Sequence, residues 1–385
     1  MPVSMPVSTT ARHLAPVLLS TAILAAPAAR AEPLATLEAL GEALFFDVNL
    51  SANRTESCAS CHNPEAGFAD PRGMASPGDD GVSVGDRNAP TASYAHLTPA
   101  FTEIAEGVFR GGQFLDGRAS TLADQAGGPP LNPIEMGMPD AASVVARLEE
   151  NPDYIAAFTS LFGDAIFSDT DAAYLAMTRA IEAFEQTDLF SPFDSKYDRY
   201  LRGEVELTRQ EALGETLFFS QQFTNCNICH ELNPRPGMAG ETFSNYEYHN
   251  IGVPENTALR EMNGAAGTVD RGLAQNPAVN DAPQTVGRFK VPTLRNVAVT
   301  GPYMHNGVFQ DLRTVVLFYN TYNTKSEARM INPETGERFG APEVAENVSM
   351  GELTEGPALE DREIDALVAF MKTLTDARYE HLLEE

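Results

Sequence analysis

Leu34, Leu37, Leu40 and Leu44 fall three or four residues apart, which places them on one face of a helix. A second apolar stripe, Val144, Val145 and Leu148, follows Asp140, whose short carboxylate suits a helix N-cap. Similar spacing predicts helices from about Asp171 to Thr187, with Leu175, Ile181 and Phe184 inside, and from about Leu312 to Tyr319. The chain closes on Asp361-Arg-Glu-Ile364 and an amphipathic run through Leu367, Val368, Met371 and Leu374. Alternation of period two is scarce, so the expected class is mainly α. Two aperiodic stretches rich in glycine and proline separate these helices, Asn63 to Thr121 and roughly Asn233 to Pro292. Loops of that length in a compact domain usually carry function. Phe68, Phe101, Phe109 and Phe114 within the first argue for order there rather than disorder.

The pattern also repeats. Leu40-Gly-Glu-Ala-Leu-Phe-Phe46 returns as Leu213-Gly-Glu-Thr-Leu-Phe-Phe219, six of seven positions identical, and each copy precedes a Cys-x-x-Cys-His pentapeptide. A duplicated unit accounts for this better than chance. Ser191-Pro192-Phe193-Asp194 interrupts the helical pattern and is the candidate boundary between two helical domains, residues 32–190 and 191–385.

The pentapeptides are Cys58-Ala59-Ser60-Cys61-His62 and Cys226-Asn227-Ile228-Cys229-His230. On a helical turn positions i, i+3 and i+4 share a face. Two thiols so placed can be bonded to one porphyrin edge while the next histidine reaches its iron, and C-x-x-C-H is the attachment signature of c-type haem. The alternatives are a redox dithiol, which does not need the histidine, and half a zinc site, which needs a second half close in space. All four cysteines of the chain lie in these motifs, leaving none for a disulfide. Two covalently bound haem c groups are therefore expected, held by Cys58, Cys61 and His62 and by Cys226, Cys229 and His230.

Composition narrows the partners. With 385 residues and 43% hydrophobic content the chain can build two cores. A formal net charge of −28 makes nucleic acid and anionic membranes poor partners and favours a cationic protein partner, although the acidity alone would also keep an exported protein soluble. Arg12 and His13 precede an apolar run, Leu14 to Ala28, and Ala29-Arg30-Ala31 forms a small-x-small cleavage site. Residues 1–31 thus read as an export signal and the mature protein as periplasmic. The run is short for a membrane span, which needs about 20 apolar residues.

Haem chemistry turns on the ligand opposite the histidine: a filled sixth position passes electrons, and an empty one can bind peroxide or oxygen. Further segments bear on it. Gly85-Asp-Arg-Asn-Ala-Pro-Thr91, Gly112-Gln-Phe-Leu-Asp-Gly-Arg118, Leu131-Asn-Pro-Ile-Glu-Met136, Phe289-Lys-Val-Pro-Thr-Leu-Arg-Asn296 and Gly301-Pro-Tyr-Met-His-Asn-Gly307 resemble the bacterial di-haem cytochrome c peroxidase superfamily. Ser191 to Tyr197, Asn245 to Ile251, Val308 to Thr314 and Ile331 to Gly336 resemble its methylamine-utilisation (MauG) branch. The resemblance spans nearly the whole mature chain.

What it implies is specific. In the peroxidases a methionine fourteen residues beyond the PYxH histidine ligates the second haem; counting from His305 reaches Tyr319, as in the MauG branch. A phenolate favours ferric and higher states, where a thioether favours ferrous iron. On its own pattern Tyr319 equally reads as a core residue beside Val315, Val316 and Phe318, and Met304 is a rival donor. The family histidine that can close the first haem at rest is absent between Asp70 and Asn88, and His96 reads as a surface or capping residue, so an open position opposite His62 is expected. The resemblance places the catalytic pair at Glu135 and Gln125; by pattern alone Glu135 also reads as a helix-start carboxylate after Pro133. It further implies a calcium ion held by Asn88 with carbonyls near Asp281 and Pro283, and Arg87 and Arg118 as charge partners for haem propionates.

The chain departs from the family in having no tryptophan. Leu115 stands where the family has a tryptophan between the haems, and Thr224 where the MauG branch has one facing its partner, so Tyr246 and Tyr248 become candidate relays. The implied function is an oxidoreductase in which hydrogen peroxide, or O2 plus electrons, raises the irons to a high-valent state. That state would oxidise tryptophans of a methylamine dehydrogenase precursor to complete its tryptophan tryptophylquinone cofactor. The alternatives are a di-haem peroxidase reducing hydrogen peroxide with electrons from a small redox protein, and a two-haem electron carrier.

Overall fold

The computed structural model describes residues 1–5, 34–233, 237–279 and 282–384. The expected export signal falls largely on residues 6–33, outside the described residues. Residues 1–5 are exposed and without regular structure, and from Leu34 onward the chain forms one compact unit.

The predicted helices are present with shifted ends. The first stripe forms α1 (Leu37–Phe45), capped by Thr36. Further along are the single turns α2 (Cys58–Cys61) and α3 (Leu122–Ala126), then α4 (Ala141–Leu148), where the Asp140 carboxylate accepts the Ser143 N–H as an N-cap should. Pro152–Phe162 (α5), started by a proline after the Asn151 cap, leads to Thr170–Glu185 (α6). The second half has α7 (Lys196–Leu201), α8 (Arg209–Phe218), α9 (Cys226–Cys229), α10 (Thr257–Met262), α11 (Leu312–Asn320), α12 (Met350–Leu353) and α13 (Asp361–Lys372). Among the described residues the strands form two short antiparallel pairs: β1 (Thr102–Ala105) with β2 (Val108–Arg110), and β3 (Tyr248–His249) with β4 (Phe289–Lys290). The fold is mainly α. Among the described residues no helix is long and apolar enough to cross a membrane.

The repeat seen in sequence is a repeat in packing. In one core α1 crosses α6, and in the other α8 crosses α13. The glycine of each heptapeptide sits at the crossing: a Cβ on Gly41 would collide with the carbonyl oxygen of Ala180, and one on Gly214 with that of Ala366. Glycine is what lets the helices approach backbone to backbone. Phe45 meets Phe68, Phe184 and Phe190 edge-on in the first core, and Phe218 meets Phe243 and Phe370 in the second. Leu34–Phe190 supply one hydrophobic cluster, Tyr197–Leu374 a second, and a small third joins Phe109 of the first half to Tyr248, Leu273 and Val279 of the second.

Polar contacts lock the two halves together. The Tyr94 hydroxyl donates to Asp376 (2.7 Å), whose other oxygen accepts from Asn296 Nδ2 (2.8 Å). Arg295, fully buried, donates to both oxygens of Asp198 and lies over the rings of Tyr94, Phe193 and Phe243. After α13 the last turns, Ala377–Glu384, reach back to the first half, where the Tyr379 hydroxyl donates to the Pro64 carbonyl (2.9 Å).

Candidate haem sites

Both pentapeptides form one helical turn that ends at the histidine. The backbone N–H of His62 donates to Cys58 O (2.9 Å) and that of His230 to Cys226 O (2.8 Å), closing the turn that puts thiols and imidazole on one side. Each imidazole is then fixed by the loop that follows: His62 Nδ1 lies 3.3 Å from Phe68 O and His230 Nδ1 3.0 Å from Phe243 O. Phe68 and Phe243 both adopt left-handed backbone (φ 55° and 56°), which turns their carbonyls toward the ring. A proton on Nδ1 leaves Nε2 as the lone-pair donor, the arrangement an iron-ligating histidine needs. Burial holds both imidazoles neutral, lowering His62 and taking His230 down to about 4.

The thiols suit attachment better than the alternatives. All four are unpaired, and burial pushes them up, Cys61 to about 11 and Cys229 to about 12. A metal or redox dithiol needs the opposite, a stabilised thiolate. Among the described residues no group of three or more His, Cys, Asp or Glu side chains could hold a metal ion.

Around His230 lies a cavity of about 380 Å³, lined by Cys226, Cys229, Leu115, Met371 and by Tyr319 from α11. Leu317 and Phe318, in the turn before it, are buried in the core, whereas Tyr319 faces the cavity and its hydroxyl makes no hydrogen bond to a described residue. Burial raises its phenol, so a cation in the cavity would be needed to hold the phenolate. Met304, the rival donor, lines the same cavity from a strained turn (φ 71°).

The duplication locates the counterpart of Tyr319. The bridge Gln113–Ala119 matches Tyr303–Phe309, left-handed Phe114 matches Met304, and α3 begins at Leu122 as α11 begins at Leu312, a constant offset of 190. On that offset Tyr319 corresponds to Pro129, in a 3-10 turn. Proline offers no side-chain donor. His96 lies on another 3-10 turn with Nε2 3.4 Å from Ser191 Oγ and lines neither described cavity.

Glu135 lines a second, more open cavity of about 480 Å³ with Asn132, Arg118, Phe114 and Asp124. It stands in a turn between the 3-10 helix and α4, so it does not begin a helix. Burial raises its carboxyl, opposed by Arg118 and Asn132. Gln125 is on α3 and is absent from the lining, although its carbonyl accepts the Gly128 N–H of that wall (2.9 Å). Asn88 lines the His230 cavity; its Nδ2 donates to Met74 O (3.2 Å), leaving Oδ1 uncommitted. Asp281 lies outside the described residues, and the Pro283 carbonyl accepts from Asn347 Nδ2 (2.8 Å).

Arg87 and Arg118 both bind Asp116 (2.7 and 2.9 Å), and Arg87 also grips Asp270 (2.7 Å). The relay candidates separate: Tyr248 donates to Gly111 O (2.6 Å) away from the cavity, whereas Tyr246 lines it with an unpartnered hydroxyl. Three residues escaped the sequence reading. Lys290 and His249 line the His230 cavity, the latter with an unpartnered Nε2. Glu185, buried in α6 near Cys58, is pushed up to about 8 by burial. Lys290 and His249 fall in segments that carry the family resemblance, but no local pattern marks any of the three as facing a cavity or a core.

Comparison with known proteins agrees with this geometry. A family model described as di-haem cytochrome c peroxidase matches residues 35–206. The methylamine utilization protein MauG of Paracoccus denitrificans is 54% identical over 355 residues, 91% of either chain. The cytochrome c peroxidase Ccp of Escherichia coli is 36% identical, over 75% of this chain and 54% of its own. The crystal structure of the diheme peroxidase BthA from Burkholderia thailandensis superposes with a TM-score of 0.77 at 35% identity, covering 91% of this chain and 88% of that one. Identity of this order over 91% of the chain makes it a member of the di-haem cytochrome c peroxidase family, and so a haem-dependent oxidoreductase with two haems.

Proposed function

We propose that this protein acts as the MauG-type member of its family. In this reading it takes oxidising equivalents from hydrogen peroxide, or from O2 plus electrons, and draws electrons from tryptophans of a methylamine dehydrogenase precursor, completing tryptophan tryptophylquinone. The observation that carries the reading is Tyr319, a phenol facing the His230 cavity, at the position where the family resemblance implies a thioether in a peroxidase. The 54% identity to a MauG supports the same conclusion.

The first haem belongs to Cys58, Cys61 and His62, and the second to Cys226, Cys229, His230 and Tyr319, with the domain boundary at 190/191. Two separate hydrophobic clusters support that division. When bound, the haems supply irons that a peroxide can oxidise. The chain's own contribution is positional. His62 and His230 present neutral imidazoles in one tautomer. Pro129 leaves the face opposite His62 without a donor. The Glu135 carboxylate takes the proton from the near oxygen of hydrogen peroxide and returns it to the far oxygen, which leaves as water. Gln125 borders that pocket. The free amide oxygen of Asn88, in the wall of the His230 cavity, supports a calcium ion. Export to the periplasm fits haem attachment outside the cytoplasm.

Tyr319→Met tests the reading. It is expected to raise the potential of one haem, to abolish tryptophan oxidation in the precursor, and to favour turnover with a reduced small cytochrome. If Tyr319→Met leaves both potentials and the precursor reaction unchanged, Tyr319 is a packing residue and the simple peroxidase reading takes its place.

A further inference from the structure

Lys290 is a basic side chain without an anion. It is half-buried and lines the His230 cavity, where the amine donates to the Gly112 carbonyl. It forms no ion pair with a described residue. The carboxylate that influences it, Asp116, is already held by Arg87 and Arg118. Arg118, Arg87 and Arg260 are taken up by Asp116, Asp270 and Glu343, and none of these carboxylates is bonded to Lys290. Burial without an anion lowers its amine to about 7, and an anion in the cavity would hold the charge.

The duplication says where the missing anion belongs. Lys290 precedes Pro292 as Asn88 precedes Pro90, and those prolines bear the carbonyls that face His230 and His62. Asn88 N–H donates to His305 O (2.8 Å) and Lys290 N–H to Leu115 O (2.9 Å), and His305 is the counterpart of Leu115 on the offset of 190. Lys290 therefore stands in the wall of the His230 cavity two residues from the carbonyl that faces His230, as Asn88 stands two residues from the one that faces His62. The rest of that wall is largely apolar, with Leu294, Leu312, Val316 and Leu367. Arg87, the stronger candidate by charge, is saturated by Asp116, Asp270 and Gln275.

We propose that Lys290 is the anchor for a propionate carboxylate of the haem attached at Cys226 and Cys229. This rests on the assignment of that haem to the His230 cavity. A lysine here fixes the porphyrin edge and places a positive charge beside the iron, which disfavours the ferric state.

The experiment is a spectroelectrochemical titration of both haems in the purified two-haem protein, with K290M and K290R. K290M is expected to move the potential of the second haem negative while the first moves little, and K290R is expected to restore it. Carbon-13 in the haem propionates adds a readout: the redox-linked carboxylate infrared band should shift between wild type and K290R, which changes the hydrogen bond and keeps the charge. An unchanged second-haem potential in K290M, equal shifts in both haems, or an unmoved carboxylate band in K290R would each overturn the proposal. Failure of the underlying assignment looks different: a C226S/C229S variant would then still carry two covalent haems.

Discussion

At the scale of single residues, chemistry follows from what burial does to a titratable group. The Glu135 carboxyl is raised, so its active deprotonated form appears only above the ordinary carboxylate range. The rate of peroxide reaction at the His62 site should therefore climb with pH along a limb set by Glu135. Glu135→Gln should remove that limb and slow the reaction by about 10²–10⁴-fold, with haem content unchanged, as stopped-flow absorbance would show. The residues that speak through spacing were legible in the sequence: Cys58, Cys61 and His62, with their second copy, need only a helical turn to converge. Lys290 and Glu185 were not, because nothing in Phe289-Lys290-Val291 or Phe184-Glu185-Gln186 says that the side chain faces a cavity or a core. That information is created when distant segments pack.

Secondary elements were legible where amphipathicity was strong, as in α4, α6, α11 and α13. The short α7 and α10, and the β1–β2 hairpin, were not, since turns of six residues or fewer carry little period. The heptapeptide repeat carried more than its helical stripe. Its glycine fixes how closely α1 approaches α6 and α8 approaches α13. Gly41→Ala and Gly214→Ala should each force a backbone collision and cost about 3 kcal/mol or more. Denaturant unfolding should report the loss, and Gly→Ala at exposed Gly351, with open space around it, serves as the control. A loss for Gly41 or Gly214 no larger than for Gly351 would mean the helices can separate freely.

For the molecule as a whole, the halves are coupled through Asp376, which burial takes from 3.8 to about 6 despite its bonds from Tyr94 and Asn296. Because the folded state keeps this proton to higher pH than the unfolded chain, stability falls as pH rises from about 4 to about 6. The fall amounts to up to about 3 kcal/mol. Asp376→Asn should flatten that part of the curve in denaturant titrations across the same range; an unaltered slope would assign it to other groups. How two halves lock was beyond the sequence, since Tyr94 and Asp376 are 282 residues apart. The clasp of Tyr379 and Arg378 on Pro64, two residues past His62, has a consequence for biogenesis. The turns after α13 pin the loop that follows the first pentapeptide, so an exported chain in which they have not yet docked leaves the backbone beside Cys61 and His62 free to open for haem attachment.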